Sequence, residues 1–262
     1  MNLSSLFGVL SGLVVLVGAI LTSSKSARVF LDPHGILIVF GGTAAAGLIC
    51  FPLRFYIGVT RALIKKFFGN YITRFESVIF EVVDLAKGTR ENPNYMKNKL
   101  NSLQTPFLRD AVSLIVQGGI PQEALDTILL KRAATYTKRY DYDVSVFRTI
   151  AKFPPAFGLM GTTLGMISLL QNLGGNDAQK MLGPAMAIGL VATFYGIVLA
   201  NLVFIPISEN LAVLNREDET IRAIVIDGMR LISRKEHPRI VEEHLKSYLM
   251  PDERLKMGNS KA

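Results

Sequence analysis

The chain has 262 residues, of which 50% are hydrophobic and only 19% are charged. An average soluble domain has about 25% charged residues. This composition excludes a disordered or collagen-like chain, and a single cysteine excludes a disulfide-rich one.

Charged side chains avoid four stretches, which predict membrane-spanning helices. The charge-free runs cover 1–24, 33–53, 153–176 and 181–208, with lengths of 24, 21, 24 and 28 residues. A helix needs about 20 apolar residues to cross a bilayer. No convincing β-type alternation is present, so the fold class predicted is an all-α polytopic membrane protein with four transmembrane helices. Residues 1–5 contain no Lys or Arg, and the first run is long for the apolar region of a signal peptide, so we expect a retained span.

The net charge of +8 is concentrated in one segment. Residues 54–152 contain 16 Lys and Arg against 9 Asp and Glu. Basic residues within about 15–20 residues of a span end mark the cytoplasmic side of a membrane. Four spans then place both termini in the cytoplasm with this segment. The same charges favour contact with anionic membrane lipid, and no module typical of nucleic-acid binding is present.

The chain shows no pattern typical of an enzyme or a metal site. Its single cysteine, Cys50, lies in the second charge-free run, and His34, His237 and His244 are scattered. There is no nucleophile–base pair and no phosphate-binding loop. We therefore predict a protein that is not an enzyme, with no catalytic residue, no bound metal and no covalent cofactor.

These boundaries divide the chain into four predicted segments. They are transmembrane helices 1 and 2 (1–53), a large helical cytoplasmic loop (54–152), transmembrane helices 3 and 4 (153–208), and a cytoplasmic C-terminal helix and tail (209–262). Apolar spacing predicts a basic amphipathic helix over 54–68 at the membrane surface and a helix over 72–88 that ends near Gly88. Pro121 is typical of a first helical residue. Span four is expected to continue into the cytoplasm as one long helix.

The spans contain small residues, hydroxyls and prolines, but no acid. Thr162 and Thr193 must find hydrogen-bond partners in hydrocarbon, either at the carbonyl four residues earlier or along a polar ion path. Pro155 lies about two turns before Thr162 and on the same face, and Pro206 interrupts span four near its cytoplasmic end. Ion relays in membranes depend on ionisable side chains. Because all four runs lack Asp, Glu, Lys and Arg, we expect a partner protein to supply the titratable group.

Several stretches resemble the A subunits of the flagellar motor stator, the MotA/PomA family. The sequence FPPAFGLMGTTLG at 153–165 resembles the third span of that family, and 183–206 resembles the fourth. ILIVFGGT at 36–43 is similar to the second span, and 227–228, 237–240 and 245–249 are similar to the tail of the family. The likeness runs through nearly the whole chain in the correct order and weakens only at about 68–110.

The resemblance implies a bacterial inner-membrane protein that forms a ring of A subunits, a homo-pentamer, around two copies of a MotB/PomB-like single-span subunit. That B subunit would supply the membrane aspartate and a peptidoglycan-binding domain. Ion flow would turn the ring and push the rotor protein FliG. By matching motifs, Pro155 and Pro206 are the two functional prolines of the family, and Thr162 and Thr193 are its hydroxyls facing the ion path.

The rotor-facing charges of the family match this chain less closely. The basic position corresponds to Lys87 or Arg90, whereas Lys97 and Lys99 stand where the acidic partner is expected, and Glu91 is the only acid nearby. The rotor contact is therefore expected to involve Lys87, Arg90 and Glu91 in a different arrangement, and a solvated surface is the alternative for each.

The transported ion is expected to be Na+, with H+ as the alternative. Sodium-driven members of the family resemble this chain in having threonine at the position of Thr162, whereas some proton-driven members have alanine. Ala192 departs from the pattern, because sodium-type members often have a second threonine there.

Two other functions are weighed against the stator. One is a related ExbB/TolQ-type proton-channel subunit that energises an outer-membrane process, and four spans instead of three would favour the stator over it. The other is a membrane scaffold without ion flux, which would not need the threonines and prolines.

Overall fold

A computed structural model describes residues 3–23, 27–52, 75–172 and 178–259, and these residues contain helices and no β-strand. The all-α prediction is confirmed for them. The α-helices are α1 (Leu3–Ser23), α2 (Pro33–Ile36), α3 (Gly42–Cys50), α4 (Phe75–Glu91), α5 (Tyr95–Lys99), α6 (Pro106–Gln117), α7 (Gln122–Ile150), α8 (Phe153–Asn172), α9 (Ala178–Val198), α10 (Ile205–Ser233), α11 (Pro238–Lys246) and α12 (Pro251–Asn259). Short 3₁₀ turns lie at Ala27–Phe30 and Leu100–Ser102, and π-helical segments at Leu37–Gly41 and Leu199–Phe204.

The chain folds as two compact units. Unit one comprises Met1–Tyr71 and Tyr142–Ala212, and unit two comprises Ile72–Asp141 and Val213–Ala262. Both divisions fall within long helices, α7 and α10. The predicted amphipathic helix at 54–68 lies outside the described residues.

Among the residues that the structure describes, three helical stretches are long and apolar enough to cross a membrane. They are Pro33–Cys50, Gln122–Gln171 and Leu182–Ser233, and a shorter apolar stretch, Leu10–Thr22, lies in α1. Polytopic membrane character therefore follows from helix length and composition, whereas the count of four spans stays a prediction.

The second predicted span begins at a side-chain cap. Asp32 Oδ2 accepts a hydrogen bond from the Gly35 backbone N–H at 2.6 Å, and Pro33 occupies the first helical position, where no N–H partner is needed. The helix continues through the π-helical segment Leu37–Gly41 into α3 and ends before Phe51, which is extended.

Unit two is built around one hydrophobic core. Its fully buried side chains come from α4, α6, α7, α10 and α11 and include Val78, Leu108, Leu129, Ile224 and Leu245. Full burial of one such aliphatic side chain stabilises the fold by about 1.5–3 kcal/mol. These five helices, which are separated in sequence, thus share one core.

The helix predicted over 72–88 corresponds to α4, which is described from Phe75, and the predicted end near Gly88 lies three residues before the observed end. The helix continues past Gly88 to Glu91. A Cβ at Gly88 would come within 2.3 Å of the Tyr95 ring. The glycine is therefore explained by the close packing of Tyr95, and it does not stop the helix.

Two other helix predictions have clear outcomes. Pro121 precedes α7 and is not its first residue, although its carbonyl accepts the hydrogen bond of Leu125 N–H at 2.9 Å. The expected long helix after span four is confirmed, because α9, the π-helical segment and α10 run without a break.

A polar network joins three helices at the edge of the unit-two core. Tyr248 donates its hydroxyl hydrogen to Asp227 Oδ2 at 2.6 Å, and Arg230 Nε donates to Asp126 Oδ2 at 2.8 Å. Burial of the phenol, followed by its bond to Asp227, raises the pKa of Tyr248 to about 12. Asp227 and Tyr248 belong to the family-like tail, so the structure gives that motif a role in holding the turn after α11 against α10.

Candidate functional site

The third and fourth predicted spans, α8 and α9, pack antiparallel through reciprocal glycine–threonine contacts. A Cβ at Gly158 would come within 2.9 Å of Thr193 Cα, and a Cβ at Gly189 within 2.9 Å of Thr162 Cα. Each helix thus provides a glycine opposite a threonine of the other. Because the two glycines have no side chains, the backbones of α8 and α9 can approach closely, as they do at small residues in other pairs of membrane helices.

This approach brings the two predicted ion-path threonines together. Thr162 Oγ1 lies 2.6 Å from Thr193 Oγ1, 2.9 Å from the Gly189 carbonyl oxygen and 3.3 Å from the Gly158 carbonyl oxygen. Thr193 Oγ1 lies 3.2 Å from the same Gly158 oxygen. Two hydroxyls and two carbonyls therefore form one cluster, which we call the threonine cluster.

Within the cluster, both threonine hydroxyl groups have acceptors for their protons. Each hydroxyl has one proton and two lone pairs. If Thr162 donates to Gly189, Thr193 can donate to Thr162 or to Gly158. The oxygen lone pairs that remain can accept a proton donor or a cation, since both side chains are only half-buried.

Thr163, next in sequence, behaves differently. Its hydroxyl donates to the Leu159 carbonyl four residues earlier at 2.9 Å, and the residue is exposed. This is the local bond expected for an isolated membrane threonine. Cross-helix contact therefore distinguishes Thr162 from its neighbour, and it does so at the position that the family resemblance singled out.

The structure places Pro155 at the N-terminal end of the third predicted span. Pro155 lies in the first turn of α8, which begins at Phe153, and the first N–H groups of a helix have no intrahelical partner. It therefore starts a helix and does not interrupt one. A Cβ at Gly196 would lie 3.1 Å from Pro155 Cα, so this proline faces α9, as Thr162 does.

The structure places Pro206 in the continuous helix after span four, next to an irregular stretch. It is the second residue of α10 and comes directly after the π-helical segment Leu199–Phe204. Proline has no N–H for the carbonyl of Leu202, four residues earlier, and its ring clashes with a regular turn there. The π-helical segment places the wider turn where the proline requires it.

Two residues that sequence patterns did not single out, Asp32 and Tyr195, connect the segment before span two to α9 in unit one. Tyr195 donates its hydroxyl hydrogen to the Phe30 carbonyl, and the backbone N–H of Asp32 donates to Tyr195 Oη at 3.4 Å. The Asp32 side chain is 13% exposed, and Gly35, which it caps, packs on the backbone of Ala192. The short segment before span two is thus attached to the stretch of α9 that carries Thr193.

The predicted rotor-contact residues lie on α4 in unit two. Lys87, Arg90 and Glu91 are all exposed in its last turns. Nearby, Lys99 Nζ pairs with Asp84 Oδ2 at 3.1 Å, and this hydrogen bond is the main cause of the raised pKa of Lys99. Asp84 also accepts from Tyr95 Oη at 3.0 Å. Asp84 is an acid that the sequence analysis did not single out.

No cluster of three or more potential metal ligands of the His, Cys, Asp or Glu type occurs in the part of the chain that the structure describes.

Known proteins resemble this chain along most of its length. The MotA/TolQ/ExbB proton channel family matches residues 99–224. Chemotaxis protein PomA of Vibrio alginolyticus is 31% identical over 250 residues, covering 95% of this chain and 96% of PomA. Motility protein A of Borreliella burgdorferi is 29% identical and covers 99% of this chain and 98% of the relative.

The fold also matches solved structures. The chain superposes on the flagellar MotAB stator complex from Bacillus subtilis with a TM-score of 0.84, 24% identity, and coverage of 96% of this chain and 97% of that one. The C. jejuni MotAB structure gives a TM-score of 0.84, 20% identity, and the same coverage of both chains. Full-length identity above 30% to PomA, together with these folds, shows that the chain belongs to the MotA/PomA family of flagellar motor stator A subunits.

Proposed function

We propose that this protein is an ion-conducting stator subunit that works with a MotB/PomB-like partner. In this proposal, ion flow across the bacterial inner membrane turns a ring of its copies, a pentamer, and drives torque on the rotor protein FliG. The full-length likeness to PomA and to motility protein A carries the proposal. It also supports the stator over an ExbB/TolQ-type subunit, although the matching family description includes both.

The proposed topology has four spans and both termini in the cytoplasm. The four segments are those predicted from the charge-free runs, 1–53, 54–152, 153–208 and 209–262. The concentration of basic residues in 54–152 supports a cytoplasmic position for that segment.

We propose that the threonine cluster forms part of the ion path. Its four oxygen atoms come from Thr162, Thr193, Gly158 and Gly189, and the charge-free runs contain no acid. The partner subunit would add the membrane aspartate. An ion could then exchange its water shell for protein oxygens, with the carboxylate supplying the charge.

Sodium is the ion we propose, with protons as the alternative. A proton needs one titratable site, whereas Na+, like other hard cations, is held by several oxygens at once. The grouping of hydroxyl and carbonyl oxygens in the threonine cluster favours the cation. Swimming speed should therefore depend on external sodium at fixed pH and ionic strength. Speed that follows only the proton gradient would exclude sodium and leave the stator function intact.

Pro155 and Pro206 are proposed to couple ion movement to helix movement, and Lys87, Arg90 and Glu91 to contact the rotor. Pro206 lies beside the π-helical segment, an irregularity often found at functional sites. Exposure of the three charges on α4 makes them available to a protein partner.

The experiment that tests the function is ion flux with and without the partner. We expect no flux when this chain is expressed alone, because its spans supply no ionisable group. Co-expression with the B subunit should produce flux, and replacing the membrane aspartate of that subunit by asparagine should abolish it. A strong leak through this chain alone would contradict the proposal.

A further inference from the structure

A groove of about 490 Å³ runs between α7 and α10 within unit two. We call it the Arg222 groove, after the cation that lines it. Its apolar lining is provided by Leu130, Ala133, Ala134, Ala223 and Ile226.

Arg222 is buried and has no counter-ion among the residues that the structure describes. It is 5% exposed, and its only described hydrogen bond runs from Nη2 to Thr137 Oγ1 at 3.2 Å. Its Nε has no hydrogen-bond partner, and none of the ion pairs between described residues includes it. The guanidinium instead lies over the rings of Tyr136 and Tyr140, 6.0 and 5.7 Å from their centroids.

An arginine cannot escape this situation by losing its proton. Burial of an unpaired charge is strongly unfavourable. The other charges of the groove do not compensate, because Asp227 already binds Tyr248 and Arg230. Lys138 and Glu219 also line the groove, so the cations left there outnumber the free carboxylate. The groove therefore fits a carboxylate carried on an apolar surface, since a small free anion would leave the apolar lining uncovered.

We propose that this carboxylate comes from a helix of a second copy of this chain, docked in the Arg222 groove. The burial cost is permanent, so its counter-ion must also be permanent, because a partner that binds and leaves would leave the buried charge unpaired in every cycle. A second copy is present wherever the chain is, and exposed acids of unit two such as Glu123 and Glu217 can supply the carboxylate. The inference rests on the proposed assembly of several copies.

Photo-crosslinking from two adjacent positions tests the occupant. Ala134 lines the groove and is exposed, whereas Thr135 is exposed and does not line it. A photo-crosslinking amino acid at 134, in cells that contain the B subunit, should give a covalent dimer of this chain, identified by mass spectrometry. The same amino acid at 135 should give at least about tenfold less. No dimer from 134, or crosslinks only to another protein or to lipid, would overturn the proposal.

A charge-removal variant tests the role of Arg222, with Arg216 on the same helix as the exposed control. Arg222→Met should leave the partner carboxylate unpaired and reduce the 134 crosslink about tenfold or more, while Arg216→Met should not. An unchanged crosslink together with higher thermal stability of Arg222→Met would overturn the proposal, because it would mean that the charge had no counter-ion. Native mass spectrometry separates the two failures. Several copies without a 134 crosslink refute only the groove, whereas a single copy refutes the assembly as well.

Discussion

Individual hydroxyl groups show how this chain uses polar atoms among apolar helices. Thr162 and Thr163 are adjacent in sequence and chemically identical, yet one bonds across to α9 and the other bonds within its own helix. The difference comes from Gly189, which has no side chain, so that the face of α8 that carries Thr162 packs closely against α9. The hydrogen bonding of each threonine is therefore determined by whether a neighbouring helix contacts it, and not by its residue type.

A double-mutant cycle on Thr162 and Thr193 should detect the bond between them. Valine keeps the shape of threonine and removes the hydroxyl, so Thr162→Val and Thr193→Val should each lower thermal stability in detergent. The coupling energy should be about 0.6–1.7 kcal/mol, the range measured between membrane helices. Thr163→Val is the matched control and should show no coupling with Thr193→Val. Strictly additive effects at 162 and 193 would mean that the two hydroxyls do not interact.

The raised pKa of Tyr248 predicts that unit two becomes less stable at alkaline pH. Its pKa of about 12 in the folded protein lies above its ordinary value of 10, so the folded state favours the protonated phenol. This stabilising contribution is complete below about pH 10 and is lost as the pH rises towards 12. Tyr248→Phe should lower the melting temperature at pH 8, and the difference from the unsubstituted protein should shrink as the pH approaches 12. Tyr136→Phe is the control, since its hydroxyl has no hydrogen bond among the described residues. A difference that stays constant with pH would contradict the argument.

At the scale of whole helices, close contact between α8 and α9 should depend on the glycines of both. Gly158→Ala places a Cβ 2.9 Å from Thr193 Cα, which is backbone and cannot rotate away. The helices must separate, at a cost of about 1–3 kcal/mol. Gly183→Ala is the control, because no atom lies within 4 Å of its Cβ position. Thermal unfolding in detergent should separate the two variants, and equal stability would show that α8 and α9 are not held this closely.

The two prolines predict different outcomes when replaced by alanine. Pro206→Ala restores a donor for the Leu202 carbonyl, so the π-helical segment can become a regular helix. We expect normal protein levels, slow or absent swimming, and altered exchange of amide hydrogens around 199–204. Unchanged exchange around 199–204 in this variant would contradict the proposed link between proline and π-helix.

Pro155→Ala replaces a proline in the first turn of α8 and leaves the backbone hydrogen bonds of that helix unchanged. Any loss of swimming in that variant must then come from its contact with Gly196.

Sequence patterns predicted these elements better than they predicted their contacts. The charge-free run at 153–176 places α8 well, because the membrane selects for length and apolarity within one segment. Gly88 was read as a helix end from local propensity, but Tyr95 packs against it, and such a contact has no local signal. The same holds for Asp32 and Tyr195, which are 163 residues apart in the chain and meet only after folding.

For the whole molecule, the distribution of charge predicts its orientation in the membrane. Residues 54–152 have a net charge of +7, and basic residues near span ends stay in the cytoplasm. Single cysteines introduced into a Cys50→Ser background should therefore react differently with an impermeant thiol reagent added to whole cells. Asn98→Cys and Met250→Cys should stay unlabelled until the cells are opened, since both residues are exposed and predicted to be cytoplasmic. Val29→Cys, in the link between the first two predicted spans, should react from outside. Labelling of position 98 in intact cells would reverse the orientation, and labelling of 98 without 250 would mean an odd number of spans between them.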